Sequence, residues 1–175
     1  MGFIDSTIYL FGEPILIQAY VKQIMLAVVF GLIIGAERGW HKKVASYRTF
    51  AIIATGSCLY TILSMEGMAG GSNPHDVTRV AAQIVTGIGF VGGGVIFKTG
   101  NHVEGITTAA LIWLAGAIGM GCGFNHPGIA FAGFMAFLVI EFVAFVVRKL
   151  QYWSAVRLRN KKHEAHHAEV VEPSC

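Results

Sequence analysis

Glu141 stands inside an apolar run, flanked by Phe137, Leu138, Ile140 and Phe145. A carboxylate in such a run can bind a cation, relay a proton or pair with a base, and is costly to keep ionised when it does none of these. The end of the apolar run at Val147, just before the basic cluster that starts at Arg148, lies about 9 Å along a helix from it. Gln83, Arg38 and Arg48 are further candidate partners, and protonation or water reaching in from the nearer interface would also relieve the charge. Two more polar sets mark the edges of apolar runs. Glu37-Arg38 closes one and Arg48-Thr49 opens the next, so ion pairing within or between helices, or snorkelling to water, would hold them at a membrane boundary. Asp76 and Arg79 stand at i,i+3 spacing after an Asn73-Pro74 turn, with Asp76 a candidate N-cap and Gln83 one turn further on. Thr107 and Thr108 follow Gly105, where hydroxyls cap free amides or bond to another helix. The chemistry these residues offer is charge pairing and hydrogen bonding in lipid. Nothing resembles a hydrolytic triad, a P-loop or a catalytic carboxylate pair, so no catalytic residue, cofactor or metal site is expected. Cys58, Cys122 and Cys175 lie outside any CxxC or Cys/His spacing, and His163, His166 and His167, which with Glu164 have the composition of a metal-binding tract, read first as part of a solvated tail.

Glycine carries the second signal. Gly87-x-Gly89-x-x-Gly92 is a literal GxGxxG, but the dinucleotide fingerprint needs a strand before it and a soluble helix after it. Here the run from Val80 to Phe97 carries no charge. In that setting Gly89 and Gly93 permit close helix contact, or the helix opens locally and turns carbonyls toward a cation or water. Ala27, Gly31, Gly35 and Gly39 recur every four residues, placing a strip of small side chains on one helix face for intramolecular packing or for a homodimer.

These groups must be positioned by membrane-spanning elements. Of the 175 residues, 54% are hydrophobic and 13% charged, with a mean hydropathy of +0.61, outside the usual range of a soluble domain. Hydropathy predicts an all-α, polytopic membrane protein of about five transmembrane helices, near 19–36, 49–65, 80–97, 106–121 and 127–147. A net charge of +3 gives no support to a nucleic-acid partner. With the N-terminus outside, all Lys and Arg except Lys22 and Arg79 fall on one side, so the positive-inside rule predicts an odd number of crossings and a cytoplasmic C-terminus. Residues 1–18 form an N-terminal periplasmic or interfacial segment, 19–147 the transmembrane domain, and 148–175 a basic juxtamembrane segment with a disordered His-rich tail. The start has no basic n-region, which argues against a cleaved signal peptide. Met1, Gly2 and Ser6 match a myristoylation pattern at an end that the charge bias places outside.

GLIIGAERG (31–39), YRTF (47–50), Asp76 with Arg79, AAQIVTGIGFVGGGVIF (81–97) and GITTAALIWLAGAIGMGCG (105–123) occur in the order found in the hydrophobic domain of the MgtC/SapB family, which this chain resembles over about 20–145. The resemblance implies a multi-pass protein of the bacterial inner membrane, associated with growth in low magnesium and with virulence, in some members through restraint of the F-type ATP synthase. Carried over by motif, it points to Glu37, Arg38, Arg48, Thr49, Asp76, Arg79, Gln83, Gly87, Gly89, Gly92, Thr107 and Thr108. Val77 stands where the family's turn often has Pro, Glu141 falls outside the shared motifs, and the soluble ACT-like domain that follows in MgtC has no counterpart in these residues. Three functional readings follow. The first is a non-enzymatic protein that modulates a membrane partner; the others are an oligomeric magnesium or proton channel or carrier, and a structural membrane subunit.

Overall fold

The computed structural model describes residues 8–10, 13–15, 17–40, 45–69 and 75–171. The myristoylation pattern, Lys42, Lys43, the Asn73-Pro74 turn and Cys175 lie outside them. Five helices carry the fold: α1 (Ile17–Trp40), α2 (Tyr47–Ala69), α3 (His75–Gly93), α4 (Ile106–Gly123) and α5 (Pro127–Val171). Two short antiparallel hairpins accompany them. In β1 (Ile8–Leu10) and β2 (Glu13–Ile15) Tyr9 pairs with Pro14; in β3 (Phe97–Thr99) and β4 (His102–Glu104) Lys98 pairs with Val103. Among the described residues α1, α2, α4 and α5 are long and apolar enough to cross a membrane, and the chain is an all-α polytopic membrane protein.

The breaks have local causes. After α4, Asn125 takes a left-handed φ of 57°. Its amide donates to the Cys122 carbonyl at 3.1 Å and the His126 amide to Gly121 at 3.0 Å, the paired bonds of a Schellman stop. Pro127 then opens α5, where its missing N–H costs nothing. The third element departs from expectation. It runs 75–93 rather than 80–97, because the polar first turns are helical and the glycines end the helix. The Gly94, Val95 and Ile96 amides close onto Phe90, Gly92 and Gly93 before the chain enters β3.

Packing divides the chain into a unit ending at Phe134 and a second beginning at Met135. In the first, α2 packs against α1, α3 and α4. A Cβ on Gly31 would lie 2.6 Å from the Ala51 Cα, and one on Gly35 would strike the Tyr47 Cα. The α1 strip therefore brings two backbones together, with Ala27 fully buried in line with it; Gly39 has open space and takes no part. On the other side of α2, Gly119 abuts the Ala54 carbonyl and Gly123 lies against Cys58 and Thr61. Lipid offers no hydrophobic drive between helices, so such close approaches, with the dispersion they permit, hold the bundle together. Phe50, Ile34 and Ile112 are fully buried in it, and Phe30 stacks on Phe134 at 4.8 Å. Cys58 and Cys122 are buried free thiols, as expected of small apolar residues.

The second unit is the remainder of α5. The helix continues to Val171, through most of the tail that composition had suggested would be disordered.

Candidate functional site

The chain direction sorts the polar residues between two ends of the first unit. Gly35 meets Tyr47 at one end, and the Tyr20 hydroxyl donates to Glu66 at 2.6 Å at the other, so α1 and α2 are antiparallel. Gly119 beside Ala54 and Gly123 beside Cys58 make α4 parallel to α2. Gly92, 3.4 Å by its would-be Cβ from the Ala109 carbonyl, and Gly116 against Ile88 make α3 antiparallel to α4. The end of α1, the starts of α2 and α4 and the β3–β4 hairpin thus share one face.

That face carries Glu37, Arg38 and Arg48. Arg38 lies in the last turn of α1, where a cation suits the negative end of the helix dipole. It is only 5% exposed. Its Nη2 donates to the Glu37 Oε1 at 2.6 Å and its Nε to the other carboxylate oxygen. Neighbours in sequence seldom face one another on a helix; this two-point pairing removes most of the net charge where Gly35 draws α2 close. Arg48 behaves differently. It is exposed, with its guanidinium carbon 6.0 Å from the Tyr47 ring centre, and Thr49 is half-buried. Gly105 precedes α4 at φ 90°, and a Cβ there would collide with the Val95 carbonyl, so this position requires glycine. No side chain caps α4, which overturns the capping role expected of Thr107 and Thr108. Thr107 is exposed and Thr108 is buried at 3%.

The remaining candidates lie elsewhere. Asp76 is the second residue of α3 rather than its N-cap, at the opposite end from Arg38, and its side chain is outside the described residues; Arg79, one turn on, is exposed. Gln83 and Gly87 line a groove of about 360 Å³ between α2 and α3, with Ile52, Ser57 and Tyr60 on its other wall. Gly89 and Gly93, expected to pack helices or open one, have nothing within 4 Å of a would-be Cβ and sit in or at the end of regular helix. In the second unit, Arg148 reaches back along α5 to 3.9 Å from Glu141, an ion-pair distance too long for a hydrogen bond. Among the described residues no three His, Cys, Asp or Glu side chains gather as a metal-binding group.

Sequence reasoning missed the packing glycines of α4. Ala115, Gly119 and Gly123 repeat every four residues, the same signal that marked α1. Tyr20–Glu66 had no readable signal, since it joins residues far apart in sequence.

A family model described as the MgtC family matches residues 24–151, from within α1 through most of the apolar part of α5. The chain belongs to the MgtC family. Protein MgtC of Salmonella typhimurium strain LT2 is 40% identical over 114 residues, covering 65% of this chain and 47% of the relative. Protein MgtC of Brucella abortus strain 2308 is 42% identical over 107 residues, 59% of this chain and 43% of that protein. This MgtC-family chain therefore spans about half the length of the curated relatives it matches. No solved structure is a significant match.

Proposed function

We propose that this MgtC-family protein is a non-enzymatic component of the bacterial inner membrane that supports adaptation to low magnesium, and intracellular survival, by modulating a membrane partner. The F-type ATP synthase is the partner that the family resemblance implies. The single observation that carries the reading is the face shared by Glu37, buried Arg38, exposed Arg48 and the β3–β4 hairpin. It joins a neutralised, fixed ion pair to accessible groups, among them Phe97, Lys98, His102 and Val103, a mixture suited to contact with protein. A pore through one copy finds less support. The buried hydroxyls of Ser57 and Thr61 bond to the Ile53 and Ser57 carbonyls of their own helix, and glycine-to-backbone contacts close α1 and α4 onto α2. A homodimer would need a face other than the Gly31–Gly35 strip, which α2 occupies; beside the groove, Gly56 and Gly87 have open space.

The test is twofold. Purified protein in sealed vesicles should carry no magnesium or proton flux under an imposed gradient, and photocrosslinkers at Lys98 or His102 in native membranes should capture a membrane complex. Flux by the isolated protein, with no crosslinked complex, would establish the carrier reading instead.

A further inference from the structure

At the end of the bundle opposite the Glu37–Arg38 face, α1 and the α4–α5 connection enclose a cavity of about 380 Å³. Gln18, Lys22 and Gln23 line it from α1 and Asn125 from the connection, while Leu26 and Cys122 supply apolar wall. Its depth follows from the spans. Gln18 begins the apolar stretch of α1 and Pro127 that of α5, so the opening lies where hydrocarbon gives way to headgroups.

The chemistry is one-sided. Lys22 is exposed and forms no ion pair among the described residues. Of the acids at this end, Glu66 already accepts the Tyr20 hydroxyl, and the side chain of Asp76 lies outside the described residues. Among the described residues no carboxylate lines the cavity, and the polar groups beside Lys22 are three neutral carboxamides, each with two N–H donors. Gln23 has its side-chain oxygen sealed from solvent without a partner, an acceptor that a hydroxyl on the ligand would satisfy. Asn125 is fixed by its left-handed backbone within the Schellman stop. A single cation among amide donors selects an anion with several acceptor oxygens. The apolar wall of Leu26 and Cys122 favours one joined to hydrocarbon, and a zwitterionic headgroup would bring an ammonium beside the Lys22 cation.

We propose that this cavity binds the headgroup of an anionic phospholipid of the phosphatidylglycerol type, with Lys22 as charge partner of the phosphodiester, the carboxamides of Gln18 and Asn125 as donors to it, and the Gln23 oxygen as acceptor for a glycerol hydroxyl. The proposal is independent of the partner-modulation reading and concerns the other face. It is tested on the full chain, stripped of lipid in a neutral detergent, by native mass spectrometry and thermal melting with phosphatidylglycerol, phosphatidylcholine or soluble glycerol phosphate added. Phosphatidylglycerol should be retained and should raise the melting temperature, and the other two should not. Lys22→Ala should weaken that retention about fivefold, the factor set by one surface lysine facing anionic lipid, with Lys98→Ala at the far end as the unaffected control. Gln18→Ala should weaken it as well, which keeps the test open if the lysine variant is poorly folded. Equal retention of phosphatidylcholine, or unchanged retention in both α1 variants, would overturn the proposal. Glycerol phosphate matching the lipid would show a site for a soluble phosphate and overturn the lipid assignment.

Discussion

Gly105 and Gly100 both take a left-handed backbone, at φ 90° and 60°, yet they differ in what surrounds them. A side chain at Gly100 would meet open space, whereas one at Gly105 would run into the Val95 carbonyl. Gly100→Ala should therefore cost only the conformational penalty, about 1–2 kcal/mol, and Gly105→Ala distinctly more, since the hairpin must shift away from α4. Melting temperatures of the two variants in the same detergent check this, and equal losses would mean that the Val95 contact does not constrain the turn. The two arginines of the polar face invite a similar contrast. Arg38→Gln removes both charge-assisted bonds to Glu37, each of a kind worth about 1.5–3 kcal/mol, and should lower stability measurably. Arg48→Gln touches an exposed group and should stay within about 0.5 kcal/mol. If function falls in both but stability only in the first, Arg48 acts through contact with a partner rather than through the fold.

The helices separate what glycine does from where it is abundant. The sequence is richest in glycine from Gly87 to Gly94, but only Gly92 in α3 approaches another backbone, while Gly31, Gly35, Gly119 and Gly123 make the close crossings. Gly31→Ala and Gly119→Ala should each force α2 away from a neighbour and destabilise by about 1–3 kcal/mol, as overpacking does. Gly89→Ala, in mid-helix with free space, should be neutral or should stabilise by up to about 1 kcal/mol. Thermal melts in detergent distinguish these, and a stable Gly89→Ala protein that loses function would place a partner on that side of α3. All five helices, the break at Gly105 and the stop before Pro127 were legible because each depends on local chemistry: apolar runs, turn residues and proline. The α1 strip was legible for the same reason, through its spacing of four. What escaped was set by tertiary neighbours. Whether Gly93 packs or Gly119 packs depends on which helix lies beside it, and the burial of Arg38 beside exposed Arg48 depends on how Gly35 admits α2. The polar beginning of α3 hid its true start, since His75, Asp76 and Arg79 depress hydropathy there without breaking the helix.

Across the molecule, the direction of each helix decides how often the chain passes from end to end. Four helices meet the length and composition expected of a membrane span, and α3 does not; if it lay on the surface, an even number of crossings would divide the two basic clusters between compartments. The packing opposes that arrangement. The start of α1 and the finish of α4 line one cavity, so α4 ends where α1 begins, and α2 runs parallel to α4. Between the end of α2 and the start of α4 the chain must return from one end of the bundle to the other, and α3, antiparallel to α4, makes that return. Its 19 residues extend about 28 Å, close to the thickness of the hydrocarbon layer. If α5 also crosses, counting α3 gives an odd number of crossings, and the positive-inside rule then predicts that the basic segments share one side. Single cysteines placed at Lys98 and Arg159 in a variant lacking the native cysteines should then resist a membrane-impermeant thiol reagent applied to intact cells, whereas one at Ser72 should react. Labelling at Lys98 together with Ser72 would mean that α3 does not cross, and that the lysines and arginines from Arg148 onward in α5 lie on the opposite side from those between α1 and α2.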